Sequence, residues 1–204
     1  TKFEPIPPLK VSTGPVMENI DRGSDINMWK FPVPFVHELD GGRYIGTDDL
    51  VIMRDPDTGW VNCGSYRTMV HDETNVAVWM SPGKHGRLIS DKYFKRGEDC
   101  PVLISCGQDP LLFISAHQEI DPEVDELAYA GGQRGRAIEY IPSEVHGLPI
   151  PAQSEVVIEG TMSRTEIREE GPFGEFMGYY ASNASELPVI KVERVYYRTN
   201  PILT

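Results

Sequence analysis

Several short stretches of this 204-residue chain gather the side-chain types that binding and catalysis use. In GWVNCGSYR, residues 59–67, a strand-like run ends in a glycine-containing turn and delivers Asn62 and Arg67 close together. Period-two alternation sets Trp60, Asn62 and Gly64 on one face. An amide oxygen at Asn62 can ligate a hard cation, and the Arg67 guanidinium can clamp a carboxylate through two parallel hydrogen bonds. The same spacing also suits an Asn that shapes a turn and an Arg in a surface ion pair. In PGKHG, residues 82–86, His85 stands beside Lys84 at the start of a helical pattern. There a neutral imidazole can bind a metal and exposed helical amides can meet a phosphate, or the histidine is simply a hydrogen-bonded polar residue. Glu126 lies in an acidic stretch beginning at Asp121. It is either part of a solvated face that complements a helix dipole, or a carboxylate that joins Asn62 and His85. One carboxylate, one imidazole and one amide suit Mn2+ or Mg2+ better than tetrahedral zinc. Finally, EEGPFGE at 169–175 is too rich in Gly and Pro for a strand, so it reads as a shaped loop that fixes Glu170 and Glu175. Two carboxylates near an arginine are a means of separating their proton affinities.

The composition bounds what these groups can meet. Lys and Arg number 19 against 31 Asp and Glu, a formal charge of −12, so the surface field repels a nucleic-acid backbone. A small phosphate ligand remains compatible, because a local cation overrides the global field within a Debye length of about 8 Å. Three cysteines, Cys63, Cys100 and Cys106, lack metal-knuckle spacing and read as reduced, packed thiols. No signal-peptide core opens the sequence and no apolar run approaches a bilayer span, which points to a cytoplasmic protein without a membrane partner.

The elements that must position these residues are mostly strands. Residues 1–36 carry six prolines and read as an extended, irregular N-terminal segment; regular structure is expected over 37–204. Strands are predicted at 50–55, 60–67, 75–80 and 101–107, and again at 137–141, 154–162, 178–182 and 187–199. The DPDTG turn at 55–59 makes antiparallel pairing of the first two natural. Helices are predicted over 85–97, with Leu88, Ile89, Lys92 and Tyr93 on one face, and over 122–130, with Asp121 capping before Pro122. Many short strands with few helices predict a mainly β (α+β) fold: a closed or nearly closed antiparallel barrel with helical insertions.

Taken in order, FVHELDGG (35–42), NCGSYR (62–67), GKH (83–85), SEVVIEG (154–160) and EGPFGE (170–175) resemble the motifs of the UbiD decarboxylase family. The match runs from about Pro32 to Tyr180, and the EGPFGE loop is its most specific part. The resemblance implies a flavin-reductase-like split β-barrel that binds prenylated flavin mononucleotide (prenylated FMN). In that reading Asn62, His85 and Glu126 match the ligands of a divalent ion, Mn2+ or Mg2+, at the cofactor phosphate. Gly64, Ser65, Tyr66, Arg67, Lys84, Ala116, His117 and Gln118 fall at cofactor-binding places, and Trp60, Ser115 and Gln118 at a neighbouring K+ site. Arg67, Glu170 and Glu175 match a catalytic Glu-Arg-Glu network with Glu175 as the proton donor. The implied activity is reversible, non-oxidative decarboxylation of an aromatic (hydroxybenzoate-type) or α,β-unsaturated carboxylic acid through a covalent adduct with prenylated FMN. A flavin-binding or assembly subunit without turnover and an FMN reductase-like protein are the other readings. The implied partners are the small carboxylic acid, a flavin prenyltransferase as cofactor source, and further copies in a homo-oligomeric full-length enzyme. Family members carry additional domains, so the chain reads as a piece of a longer enzyme or as a subunit.

Overall fold

The computed structural model describes residues 4–118 and 120–203. In chain order the strands and helices are β1 (Leu9–Lys10), β2 (Asn19–Arg22), β3 (Arg43–Gly46), β4 (Leu50–Arg54), β5 (Val61–Gly64), β6 (Arg67–Val70), β7 (Asn75–Trp79), α1 (His85–Lys95), β8 (Cys100–Cys106), α2 (Pro110–His117), α3 (Glu126–Arg134), β9 (Glu139–Pro142), β10 (Pro149–Pro151), β11 (Val156–Glu170) and β12 (Ser185–Tyr197). The main sheet runs β3-β6-β7-β12-β11-β8-β4-β5, with β2 added to β12, and β1, β9 and β10 form a small second sheet.

Connectivity explains the curl of the main sheet. Gly64 and Arg67 are separated in sequence only by Ser65 and Tyr66, yet five strands lie between β5 and β6 along the sheet. The sheet must therefore bend back until its two ends face each other across that short link. β3 and β5 end the path without pairing, so the expected barrel is a curled half-barrel, mainly β with a few helices.

The apolar runs are nearly continuous because both faces of the central strands are covered. Val51 and Met53 of β4 face the inside of the curl with Val102 and Ile104 of β8 and Val156 and Ile158 of β11. Their neighbours Leu50, Ile52, Leu103 and Val157 face outward, under Leu112 of α2, Leu127 and Ala130 of α3, and Ile141 and Ile150 of the small sheet. Period-two alternation thus sorts one apolar string into two cores. The β4–β5 hairpin forms as its turn chemistry predicts: the Asp55 carboxylate accepts from the Asp57 and Thr58 amides, at 2.8 and 3.2 Å.

Several expectations are corrected. The run 60–67 is two strands that pair with different partners, broken at Ser65 and Tyr66. The second predicted helix begins at Glu126 rather than Pro122, because Glu123 takes a positive φ of 71° and Asp125 becomes the cap, accepting from the Leu127 amide at 2.8 Å. Helix α2 had no counterpart in the prediction. Residues 178–182 form no strand; Tyr180 makes only an isolated bridge to Gly174. On α1, Ile89 is buried but Leu88 faces solvent. The proline-rich N-terminal segment contributes β1 and β2 and buries Val16, Ile26 and Met28 in the two cores. No helix among the described residues is long and apolar enough to cross a membrane.

Candidate functional site

A cavity of about 580 Å³ opens where the two ends of the sheet approach, within the size range of cofactor sites. Its wall is built from β5 and the Ser65–Tyr66 link, the start of α1, the end of α2, the first residue of α3, and the loop after β11. Asn62, on β5, is 3% exposed and donates through Nδ2 to Glu126 Oε1 at 2.9 Å. The Cys63 amide donates to Glu126 Oε2 at 3.0 Å, so α3 docks on β5 through one buried carboxylate. Burial pushes the Glu126 carboxyl up to about 7, against the lowering effect of those donors. A cation beside it would reverse that shift. The Asn62 Oδ1 atom is buried without a hydrogen-bond partner. His85, the first residue of α1, lines the same cavity and meets the Trp60 ring edge-on at 5.1 Å. Among the described residues no cluster of three or more His, Cys, Asp or Glu could hold a metal; the Asn62, His85 and Glu126 set has two such residues and an amide. The ligand-free oxygen of Asn62 beside a buried carboxylate fits a hard cation.

Arg67 opens β6 on the same wall. Its Nε and Nη2 donate to the two oxygens of Glu170 at 2.8 and 2.9 Å, a bidentate pair in which Glu170 is fully buried. The guanidinium lies 4.7 Å from the Trp79 ring centroid and 5.5 Å from that of Phe173. Glu170 ends β11, and the loop beyond it carries Phe173 and Glu175 to the cavity. That loop rests on the segment before β3. Asp40 accepts from the Gly174 and His37 amides, both at 2.8 Å, and the Gly41 amide donates to the Pro172 carbonyl at 2.8 Å. The approach is so close that a Cβ on Gly41 would collide with the Gly171 carbonyl. Glu175 is half-buried, and among the described residues no donor or cation reaches its carboxyl.

Of the residues singled out from sequence, Asn62, Gly64, Ser65, Tyr66, Arg67, Lys84, His85, Ala116, His117, Gln118, Glu126 and Glu175 all line this cavity. Glu170 stands behind Arg67, off the wall. Trp60 and Ser115 are also off the wall: the Trp60 carbonyl accepts from the Asp55 amide at 2.7 Å, and the buried Ser115 hydroxyl donates to the Leu111 carbonyl at 2.9 Å. Thr47, Trp79, Ser81 and Phe173 line the cavity unannounced. Phe173 had a signal, since it lies inside the EGPFGE loop; Trp79 read as an ordinary strand aromatic. Asp40 and Gly41 belong to the FVHELDGG motif, whose role as the seat of the acidic loop only the fold reveals.

The chain matches the sequence profile of the UbiD family, described as the 3-octaprenyl-4-hydroxybenzoate carboxy-lyase Rift-related domain, over residues 9–204. Pyrrole-2-carboxylic acid decarboxylase of Pseudomonas aeruginosa is 34% identical over 202 residues, covering 99% of this chain and 41% of that protein. Ferulic acid decarboxylase 1 of Saccharomyces cerevisiae is 33% identical over 205 residues, covering 98% of this chain and likewise 41% of the relative. An evolved dimeric form of the UbiD-class enzyme HmfF from Pelotomaculum thermopropionicum, solved in complex with prFMN, superposes with a TM-score of 0.91 at 31% identity over 98% of this chain and 46% of that one. Vanillic acid decarboxylase of Sedimentibacter hydroxybenzoicus, in closed form, gives 0.91 at 32% identity over 98% and 43%. The chain therefore spans less than half the length of these relatives. With a profile match over nearly its whole length and three of the five motifs lining one cavity, the chain belongs to the UbiD family.

Proposed function

We propose that this chain is the prenylated-FMN-binding part of a decarboxylase acting on aromatic, hydroxybenzoate-type, or α,β-unsaturated carboxylic acids. One observation carries the reading: a single cavity presents both the orphaned Asn62 oxygen beside Glu126 and an arginine braced by a buried carboxylate, with Glu175 on the same wall. Asn62, His85 and Glu126 would hold Mn2+ or Mg2+ against the cofactor phosphate, with Lys84 adding positive charge at the start of α1. Ser65, Tyr66, Ala116, His117 and Gln118 would flank the flavin, and a K+ ion near Gln118, Ser115 and Trp60 belongs to the same reading. When bound, prenylated FMN supplies an electron sink for the pair released as the carbon–carboxylate bond breaks.

This chain's residues do the rest. Arg67 holds the substrate carboxylate, and its other edge is already committed to Glu170, so its plane is fixed before substrate arrives. Phe173 and Trp79 give the site apolar walls that exclude water and suit an aromatic ring. Glu175 delivers a proton to the carbon that carbon dioxide leaves, and takes one up in the reverse direction.

The test is carbon dioxide release from a panel of aromatic and arylacrylic acids, using the full chain loaded with prenylated FMN and Mn2+. Glu175→Gln should lower release by about 10²-fold or more, the usual weight of a general acid, while the flavin absorbance stays. Loss of the flavin from that variant would make Glu175 a structural acid. Absence of release from a flavin-loaded wild type would leave a flavin-binding subunit in place of the enzyme.

A further inference from the structure

We propose that Tyr44 is a positioning residue of this site, its hydroxyl fixing Glu170, and through Glu170 the plane of the Arg67 guanidinium. The inference rests on reading Arg67 as the carboxylate clamp.

Tyr44 lies on β3 and is 1% exposed. Its hydroxyl donates to Glu170 Oε1 at 2.8 Å, the same oxygen that receives Arg67 Nε at 2.8 Å. The remaining oxygen takes Arg67 Nη2 at 2.9 Å. The terminal torsion of a glutamate is broad and soft, so a carboxylate held only by one arginine swings together with it. A third donor from a different strand removes that freedom. Glu170 is fully buried, and among the described residues Tyr44 and Arg67 are its side-chain donors, so water is not at hand to replace the phenol.

The ring acts on the same group. Its centroid is 4.4 Å from that of Phe173, in a tilted contact, and Phe173 in turn lies against the Arg67 guanidinium. Strand β3 pairs with β6, which carries Arg67, and the register shifts between Tyr44 and Gly46. Such irregularities re-aim side chains beside functional sites. Burial first, and the Glu170 carboxylate second, push the phenol above its ordinary range, so it remains a donor at any working pH.

A buried tyrosine needs a partner whatever its role, so the test must move something that packing alone would not. In the full chain without cofactor, the Arg67 Nε–H resonance is identified by its loss in Arg67→Lys, and its hydrogen exchange is measured in wild type and Tyr44→Phe. Exchange should quicken by at least about tenfold, the factor expected for a hydrogen bond to a charged group. In the loaded enzyme kcat should fall at least about tenfold with flavin stoichiometry unchanged. Unaltered Nε–H exchange in a folded Tyr44→Phe overturns the proposal, whatever the kinetics. A wild type that releases no carbon dioxide would sink the decarboxylase reading, and the exchange measurement would still decide Tyr44. Should Tyr44→Phe fail to fold, 3-fluorotyrosine at position 44 keeps the packing and makes the phenol a stronger donor; a displaced Arg67 Nε–H resonance supports the proposal and an unmoved one overturns it.

Discussion

The Asn62 amide is committed at one atom and vacant at the other: Nδ2 donates to Glu126, while the buried Oδ1 has no partner. A buried acceptor left unpaired costs about 1–3 kcal/mol, which a bound cation would offset. Asn62→Ala should therefore weaken Mn2+ binding by more than about tenfold, the loss that even outer-shell partners of metal ligands produce, as read by the paramagnetic resonance of free Mn2+. Equal affinity in the variant would remove Asn62 from the cation set. That Asn62, His85 and Glu126 were candidates was legible in sequence, because an amide, an imidazole and a carboxylate together are what a hard cation takes. Their meeting was legible only through the family resemblance and not from local pattern, since Glu126 lies 64 positions after Asn62 and Glu170 lies 103 after Arg67. Tyr44 escaped for another reason: standing between Arg43 and Ile45 it belongs to no motif, and its hydroxyl finds Glu170 only once β3 lies beside β6.

At the scale of elements, the same signal succeeded in one place and misled in another. Asp before Pro does start a helix in this chain, but at Asp109 and Pro110, where the Asp109 carboxylate accepts from the Leu111 amide at 2.9 Å. That helix was hidden because PLLFISAH is apolar around its whole circumference, leaving no amphipathic period to detect. At Asp121 and Pro122 the chain turns instead, and Asp125 takes over the cap. Most strands of the main sheet were legible because they are rich in β-branched residues; β1, β2, β3 and β10 were not, nor was the split of 60–67, because that break depends on which partners β5 and β6 find. A buried acid holds that break in shape: Asp49, fully buried beside β4, accepts from the Thr68 hydroxyl and from the Tyr66 amide at 3.3 Å. Burial raises its pKa from 3.8 to about 7. Below about pH 4 both folded and unfolded chains hold this proton, and the contribution to stability is complete. As pH rises towards 7 the unfolded chain releases the proton first, so stability falls, by on the order of 4 kcal/mol once both are ionised. Asp49→Asn cannot titrate. Its urea midpoint should gain on that of wild type between about pH 4 and pH 8, whereas parallel profiles would show that Asp49 is not the group concerned.

Over the whole molecule, the site is distributed along the chain: Asn62 to Arg67, parts of Trp79 to His85, Ala116 to Gln118 with Ile120 and Glu126, and Phe173 and Glu175 all border one cavity. Apart from Arg67 and Trp79, which the β6–β7 hairpin pairs directly, these stretches meet only once the sheet has curled, and the curl requires the long pair β11 and β12, which occupies the middle of the sheet and carries Glu170 at the end of β11. The two cores on either side of that pair share its residues, Val156 and Ile158 facing one and Val157 the other. The cavity is thus a product of global folding, and a ligand that fills it binds only the folded chain. Linkage then fixes the outcome: prenylated FMN with Mn2+ at about one hundred times its dissociation constant should raise the unfolding free energy by about 2.7 kcal/mol. The denaturant midpoint should move without a change in slope, because the same surface is exposed on unfolding. Amide exchange should slow in all four stretches together, including the loop that bears Glu175. If the flavin spectrum reports binding while protection is confined to residues 62–85, the ligand is held by a part of the chain that forms on its own, and the cavity described here is not the complete site.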